Sequence, residues 1–202
     1  MTPSHIFDEK YFTSVNYTNY LSRYERYDRL ATEIGTLMGS LSLLNKDSKC
    51  LDYGCAVGFL PQAFQKKGYL NFYGYDISEW AKLEARKHNV SILENVHDID
   101  FDVTFCLDVV EHMSDDCIDQ WLDDFKTRSM VVRAPVARRS GEDFHLSVSR
   151  KDPTHINCKT KGEWKELFQK YGFDVFLHLH LFTIYDTDGV FSCLCLKSKD
   201  FK

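Results

Sequence analysis

From Lys49 onward the chain alternates short apolar runs with amphipathic segments. Lys49 to Tyr53, Asn71 to Tyr75, Val90 to Leu93, Phe101 to Leu107 and Met130 to Arg133 have the length and apolar character of buried strands. Helical spacing runs from Leu60 to Lys67, closed by Gly68, and from Glu79 to His88 with Ser78 as N-cap. A third helix is predicted from about Ser114 to Phe125. Strands and helices alternating at this rhythm imply parallel βαβ units. The end of the chain differs. A helix over Lys161 to Tyr171 precedes a long strand over Phe173 to Tyr185, the turn Asp186-Thr187-Asp188-Gly189, and a last strand over Val190 to Leu196. The pattern predicts an α/β three-layer sandwich whose mostly parallel sheet finishes in an antiparallel hairpin.

The first 45 residues read as a helical cap on this core, and the whole chain, 1–202, as one domain with the core over 46–202. The cap is rich in aromatics. Tyr17, Tyr20, Tyr24 and Tyr27 recur at spacings of three and four, so they share one helix face. That stripe packs on the domain, or covers a pocket as a lid with Arg23 or Arg26 at its mouth. A second helix is expected from Arg29 to Leu44, before the turn Asn45-Lys46-Asp47-Ser48.

Candidate chemistry begins where the first strand turns into a helix, at Cys50-Leu51-Asp52-Tyr53-Gly54-Cys55-Ala56-Val57-Gly58. Glycines at 54 and 58 allow positive φ and close approach of backbone N–H groups to a ligand. Asp76 ends the second strand, where a carboxylate can accept hydrogen bonds from the vicinal hydroxyls of an adenosine ribose. A dinucleotide fingerprint has three glycines spaced for pyrophosphate. Here Asp52 sits beside the loop, and an acid there repels pyrophosphate but suits a ligand carrying a sulfonium and an ammonium group.

These segments resemble the class I S-adenosylmethionine-dependent methyltransferase superfamily. LDYGCAVG is similar to its first motif, YGYDIS to its second and FDVTFCLDVVEH to its fourth, and DPTHIN…GEWKELFQKYGF to the segment before its terminal hairpin. The resemblance implies a Rossmann-like fold with a seven-stranded sheet, and S-adenosylmethionine as cofactor with S-adenosylhomocysteine as product. It implies that Asp52, Gly54 and Gly58 line the methionine end, with Cys55 and Ala56 of the same loop among the cofactor-binding residues. Asp76 and Ile77 would hold ribose and adenine, Asn95 and Val96 would face the adenine edge, and Leu107 and Asp108 would flank the reacting methyl. Ala56 stands where the motif has a second glycine, which predicts a slightly tighter loop.

Methyl transfer from a sulfonium expels a neutral thioether, so no acid is needed for the leaving group. A hydroxyl acceptor does need a base. His112 is one candidate, with Asp108 or Glu111 as its orienting carboxylate; His155 is the second and His145 a third. The expected catalytic set is His112, His155 and Asp108. Asp108-x-x-Glu111-His112 with a later His155 also resembles the pattern of metal-assisted small-RNA 3′-terminal methyltransferases, although Asp108 replaces a glutamate; the expectation is a site without metal. His178 and His180 share a strand face that reads as solvated. Neither Asp-Pro-Pro-Tyr nor Pro-Cys follows the fourth strand, which removes nucleobase amino and cytosine C5 methylation. The expected reaction is O-methylation of a small hydroxyl-bearing metabolite or sugar, the alternative from another class being an NAD(P)-dependent oxidoreductase.

Charge and composition narrow the partners. The net charge of −5 argues against nonspecific nucleic-acid binding, and Arg133, Arg138 and Arg139 form the one compact basic group. The seven cysteines contain no CxxC pair and lie largely in apolar runs, as small core residues of a reducing compartment do. No signal-peptide pattern opens the chain and no apolar stretch approaches a membrane span, so the expectation is a cytoplasmic protein with no membrane partner. Nothing in the sequence sets the oligomeric state.

Overall fold

The computed structural model describes residues 4–15, 20–181, 183–184 and 187–198. Tyr17, Tyr185 and Asp186, used in the cap and hairpin expectations, lie outside them. Seven strands form one sheet: β1 (Cys50–Tyr53), β2 (Phe72–Tyr75), β3 (Ser91–Ile92), β4 (Phe101–Leu107), β5 (Thr127–Pro135), β6 (Phe173–His178) and β7 (Val190–Lys197). Their order is β3-β2-β1-β4-β5-β7-β6. The pairs from β3 to β5 are parallel, and β7 runs antiparallel to both β5 and β6. This is the mixed sheet expected from the alternating pattern and its changed ending.

The sheet is buried on both faces, and neighbouring residues along a strand serve opposite cores. On one face Leu51, Cys106, Met130 and Val132 pack with Trp121, Leu122, Trp164 and Phe168 from α4 (Asp115–Asp124) and α6 (Lys161–Lys170). On the other, Cys50, Phe105, Val131 and Leu194 meet Leu30, Ile34 and Met38 of α1 (Tyr24–Ser40) and Leu60, Ala63 and Phe64 of α2 (Phe59–Lys66). The cysteines Cys50, Cys55, Cys106, Cys193 and Cys195 are buried, and all seven are unbridged. Ser78 caps α3 (Glu79–Lys87) by accepting from the Ala81 N–H, and Thr160 with Glu163 forms a capping box on α6.

Two elements differ from the sequence pattern. α1 begins at Tyr24 instead of Arg29, because Tyr24 and Tyr27 pack on Phe59 at the start of α2. The strand expected to reach Tyr185 ends at His178. A bulge lies between Val175 and Leu177, and beyond it Leu179 and Leu181 turn down into the core beneath α1, where Thr183 donates to Glu33. His178 and His180 are exposed, and no helix among the described residues is long and apolar enough to cross a membrane.

Candidate active site

The glycine loop spans the top of β1. Gly54, Ala56 and Gly58 all have positive φ, 78°, 48° and 78°. A Cβ on Gly54 would come within 2.4 Å of Val109, and one on Gly58 within 2.9 Å of Ala85 and Val90. Ala56 pays for its left-handed backbone with strain that glycine would avoid. The loop is tied to the next strand by Asp76. Its Oδ2 accepts from the Ala56 N–H at 2.8 Å and its Oδ1 from the Ser78 N–H at 2.8 Å. Burial raises the Asp76 pKa, and these two N–H donors oppose the rise. Gly54 and Cys55 also donate to the Tyr75 carbonyl, so backbone and side chain fix the loop together.

In front of this loop is a cavity of about 370 Å³. Gly54, Ala56, Asp76 and Ile77 line one end, and Tyr53 and Tyr75, stacked at 5.1 Å, line it as well. Leu107, Asp108, Glu111, His112, Asp152 and His155 line the other. The N-terminal segment contributes Phe7, Tyr11, Phe12, Tyr20 and Tyr27, with Arg23 and Arg26. It is held in place by Ser78 Oγ donating to the Phe7 carbonyl, by Phe12 stacked on Trp80 at 5.3 Å, and by Tyr20 stacked on Phe59. The tyrosines expected on one helix face are divided, Tyr20 on the 3-10 turn Tyr20–Ser22 and Tyr24 and Tyr27 on α1; Tyr20 and Tyr27 wall the cavity while Tyr24 packs on Phe59.

The far end is polar and buried. A 3-10 turn, Val110–His112, follows β4 and faces the loop 152–155 that follows β5. His112 and His155 meet with ring centroids 4.7 Å apart. His112 Nδ1 lies 3.2 Å from the Thr154 carbonyl and 2.9 Å from the Thr154 hydroxyl, so Thr154 holds the ring on that side. His155 Nε2 is 3.5 Å from Asp152 and 4.0 Å from Glu111. Asp152 accepts in addition from the Tyr11 hydroxyl and from the Thr154 N–H and hydroxyl. Burial, and then the neighbouring His155, lower the His112 pKa to about 4, and burial lowers that of His155. Both imidazoles are therefore neutral near pH 7.

Two acids complete the floor, Asp108 half-buried and Asp52 buried. Asp108 has a left-handed backbone, φ 58°, and its carboxylate is paired with Arg133, whose side chain has no exposure. Burial raises the Asp108 pKa, and the Arg133 charge counters it. Asp52 lies behind the loop; burial, with a further push from Asp76, raises its pKa to about 8.

Of the residues singled out in the sequence, Gly54, Ala56, Asp76, Ile77, Leu107, Asp108, His112 and His155 line the cavity. Asp52, Cys55 and Gly58 are buried beside the loop. Asn95 and Val96 are not brought to the cavity: Val96 is in the core, and Asn95 uses its side chain on the His97 N–H. His145 lies outside as well, against Arg138 at 3.1 Å. The carboxylate nearest an imidazole is Asp152, while Asp108 is engaged by Arg133 and His112 by Thr154. Asp152 could have been noticed three positions before His155; Phe7 and Tyr11 carry no such mark.

The comparisons with known proteins agree with this fold. No curated protein sequence matches the chain significantly. The fold is similar to that of magnesium protoporphyrin IX methyltransferase from Synechocystis PCC 6803 with bound S-adenosylhomocysteine, at 17% identity and a TM-score of 0.66, covering 94% of this chain and 97% of that one. It is similar to an S-adenosylmethionine-dependent methyltransferase from Archaeoglobus fulgidus, at 14% identity and TM-score 0.62, covering 93% and 98%. It also resembles the methyltransferase domain of bacterial CtHen1, at 16% identity and TM-score 0.57, covering 85% and 98%. At these identities the likeness is one of fold. A family model described as a methyltransferase domain matches residues 22–178, well over half of the chain. With that match, the order β3-β2-β1-β4-β5-β7-β6 and the glycine loop followed by Asp76, the chain belongs to the methyltransferase-domain family, within the class I S-adenosylmethionine-dependent superfamily.

Proposed function

We propose that the chain binds S-adenosylmethionine across the glycine loop and Asp76, and transfers its methyl group to an oxygen of a small hydroxyl-bearing metabolite or sugar. The observation that supports this reading is one continuous cavity with a ribose-type acid at one end and two neutral imidazoles at the other. The free lone pairs of Asp76 receive the ribose hydroxyls, Ile77 packs on the adenine, and Asp52, buried behind the loop, attracts the cationic methionine end through it. Leu107 and Asp108 flank the methyl group. The acceptor enters beneath the aromatic wall of Phe7 and Tyr11, and its hydroxyl proton is taken by the histidine cluster, with Asp152 orienting His155.

Titration calorimetry with S-adenosylhomocysteine tests the cofactor half; tight NADH binding with no affinity for S-adenosylhomocysteine overturns it. For the acceptor half, metabolites and sugars are screened by release of S-adenosylhomocysteine. His155→Ala and His112→Ala are expected to lower turnover by about 10²–10⁴-fold while cofactor affinity changes only a few-fold. Unchanged turnover in both variants removes the base role.

A further inference from the structure

Tyr11 lies 141 positions before Asp152, yet its hydroxyl donates to Asp152 Oδ2 at 3.3 Å, with both residues buried. The same oxygen stands 3.5 Å from His155 Nε2. A phenol and an imidazole therefore meet at one carboxylate oxygen, while the other, Oδ1, accepts from the Thr154 N–H and hydroxyl. Burial, and then the Asp152 charge, raise the Tyr11 pKa, so the hydroxyl keeps its proton near neutral pH and stays a donor.

The place of the Tyr11 ring is set by other contacts. Phe7 meets it edge-on at 5.0 Å and Phe12 at 5.1 Å, and Asp8 Oδ1 accepts from the Tyr11 N–H at 3.0 Å. Phe7 is tied to the cofactor end by Ser78 Oγ, and Phe12 by its stack on Trp80. A phenylalanine at position 11 would fill the same space. What the tyrosine adds is a buried hydroxyl, a group that is costly without a partner and is here aimed at the carboxylate that faces His155.

We infer that Tyr11 is a positioning residue for His155: its hydroxyl fixes the Asp152 carboxylate in the orientation that meets the imidazole. With Oδ1 held from its own turn and Oδ2 from the N-terminal segment, the carboxylate cannot rotate about its terminal bond without losing a donor on each oxygen. The N-terminal segment is then part of the acceptor end, and the aim of His155 depends on how that segment docks. The role of His155 as proton acceptor rests on the proposed function. The path from Tyr11 through Asp152 to His155 does not, and it is measured without an acceptor.

The test uses the full chain and reads the histidine imidazoles by long-range proton–nitrogen NMR, with the His155 signals assigned by their loss in His155→Ala. Tyr11→Phe keeps the ring and removes the hydroxyl. Its His155 signals should move in the same direction as in Asp152→Asn and by less, while those of His145 and His178, outside the cavity, stay in place. Adding Tyr11→Phe to Asp152→Asn should move them no further, because the hydroxyl acts through that carboxylate. The inference is overturned if the His155 signals of Tyr11→Phe match the parent's, or if the shift persists in full when Asp152 is already asparagine. A shift in the opposite direction also overturns it, since a hydroxyl that only drew charge from the carboxylate would act that way. So does loss of the parent's circular dichroism in Tyr11→Phe, which would give the hydroxyl a role in the fold as a whole. S-adenosylhomocysteine is titrated into the same samples by calorimetry, and an affinity within a few-fold of the parent's is expected for Tyr11→Phe. A parent that does not bind it removes the functional reading, while the His155 shift still decides the inference.

Discussion

The two ends of the cavity are built in opposite ways. The loop end comes from a nearly continuous stretch, Asp52 to Ser78, in which strand, turn, helix and strand follow one another and polar groups satisfy each other before any ligand arrives. The far end is assembled from three distant segments, at Phe7 to Phe12, Asp108 to His112 and Asp152 to His155, and it leaves buried polar atoms without partners. Local, self-satisfied structure makes a rigid receptor for a constant ligand. An end pieced together across the chain can change with each residue that reaches it, and it can carry unpaired groups that wait for a ligand.

The salt bridge between Arg133 on β5 and Asp108 after β4 ties the far end to the sheet, so breaking it should have the largest effect on stability. Arg133→Met leaves the half-buried Asp108 carboxylate without its cationic partner, and a lower urea midpoint is expected in unfolding. Asp108→Leu in the same chain should recover part of that loss, because the orphaned charge is gone. If the single variant unfolds at the parent's urea concentration, the pair does not hold the far end to the sheet.

Asp76→Ala tests the loop end alone. It removes both the ribose acceptor and the anchor of Ala56 and Ser78, and a loss of about a hundredfold or more in S-adenosylhomocysteine affinity is expected, with the far-UV circular dichroism retained. Normal binding would refute the ribose assignment.

The smallest effect is on pH. With its pKa raised to about 8, Asp52 is protonated in the unliganded protein at neutral pH. A raised carboxylate stabilises the fold at low pH, and this contribution is lost as pH rises from the ordinary carboxylate range through about 8. A cationic methionine end favours the ionised form, so binding expels a proton, and affinity for S-adenosylhomocysteine should rise from pH 6 to 8 by up to about tenfold per unit. Asp52→Asn should flatten that slope; an unchanged slope places the titration elsewhere.

Much of the fold was legible because its signals are local. Apolar runs of strand length, caps such as Ser78 and Thr160, and glycines before helices each act within a few residues. The helix start at Tyr24 and the early end of β6 were not, since packing on Phe59 and burial of Leu179 and Leu181 decided them. At the site, the spacing from Gly54 to Asp76 announced the loop end, and His112 and His155 could be nominated one by one. That Thr154 engages His112, that Phe7 lies against His112 at 5.4 Å, and that Tyr11 donates to Asp152 could not be read from separations of 42 to 141 residues.

The sequence by itself determined the order of strands and helices, the glycine turn and the acid that follows it, because backbone conformation and burial period are written residue by residue. Tertiary structure alone decided which carboxylate meets which imidazole, and that Glu111 has no partner. Those pairings depend on where the loops after β4 and β5 and the N-terminal segment come to rest, and that is settled by the burial of their apolar residues, not by the polar groups they carry.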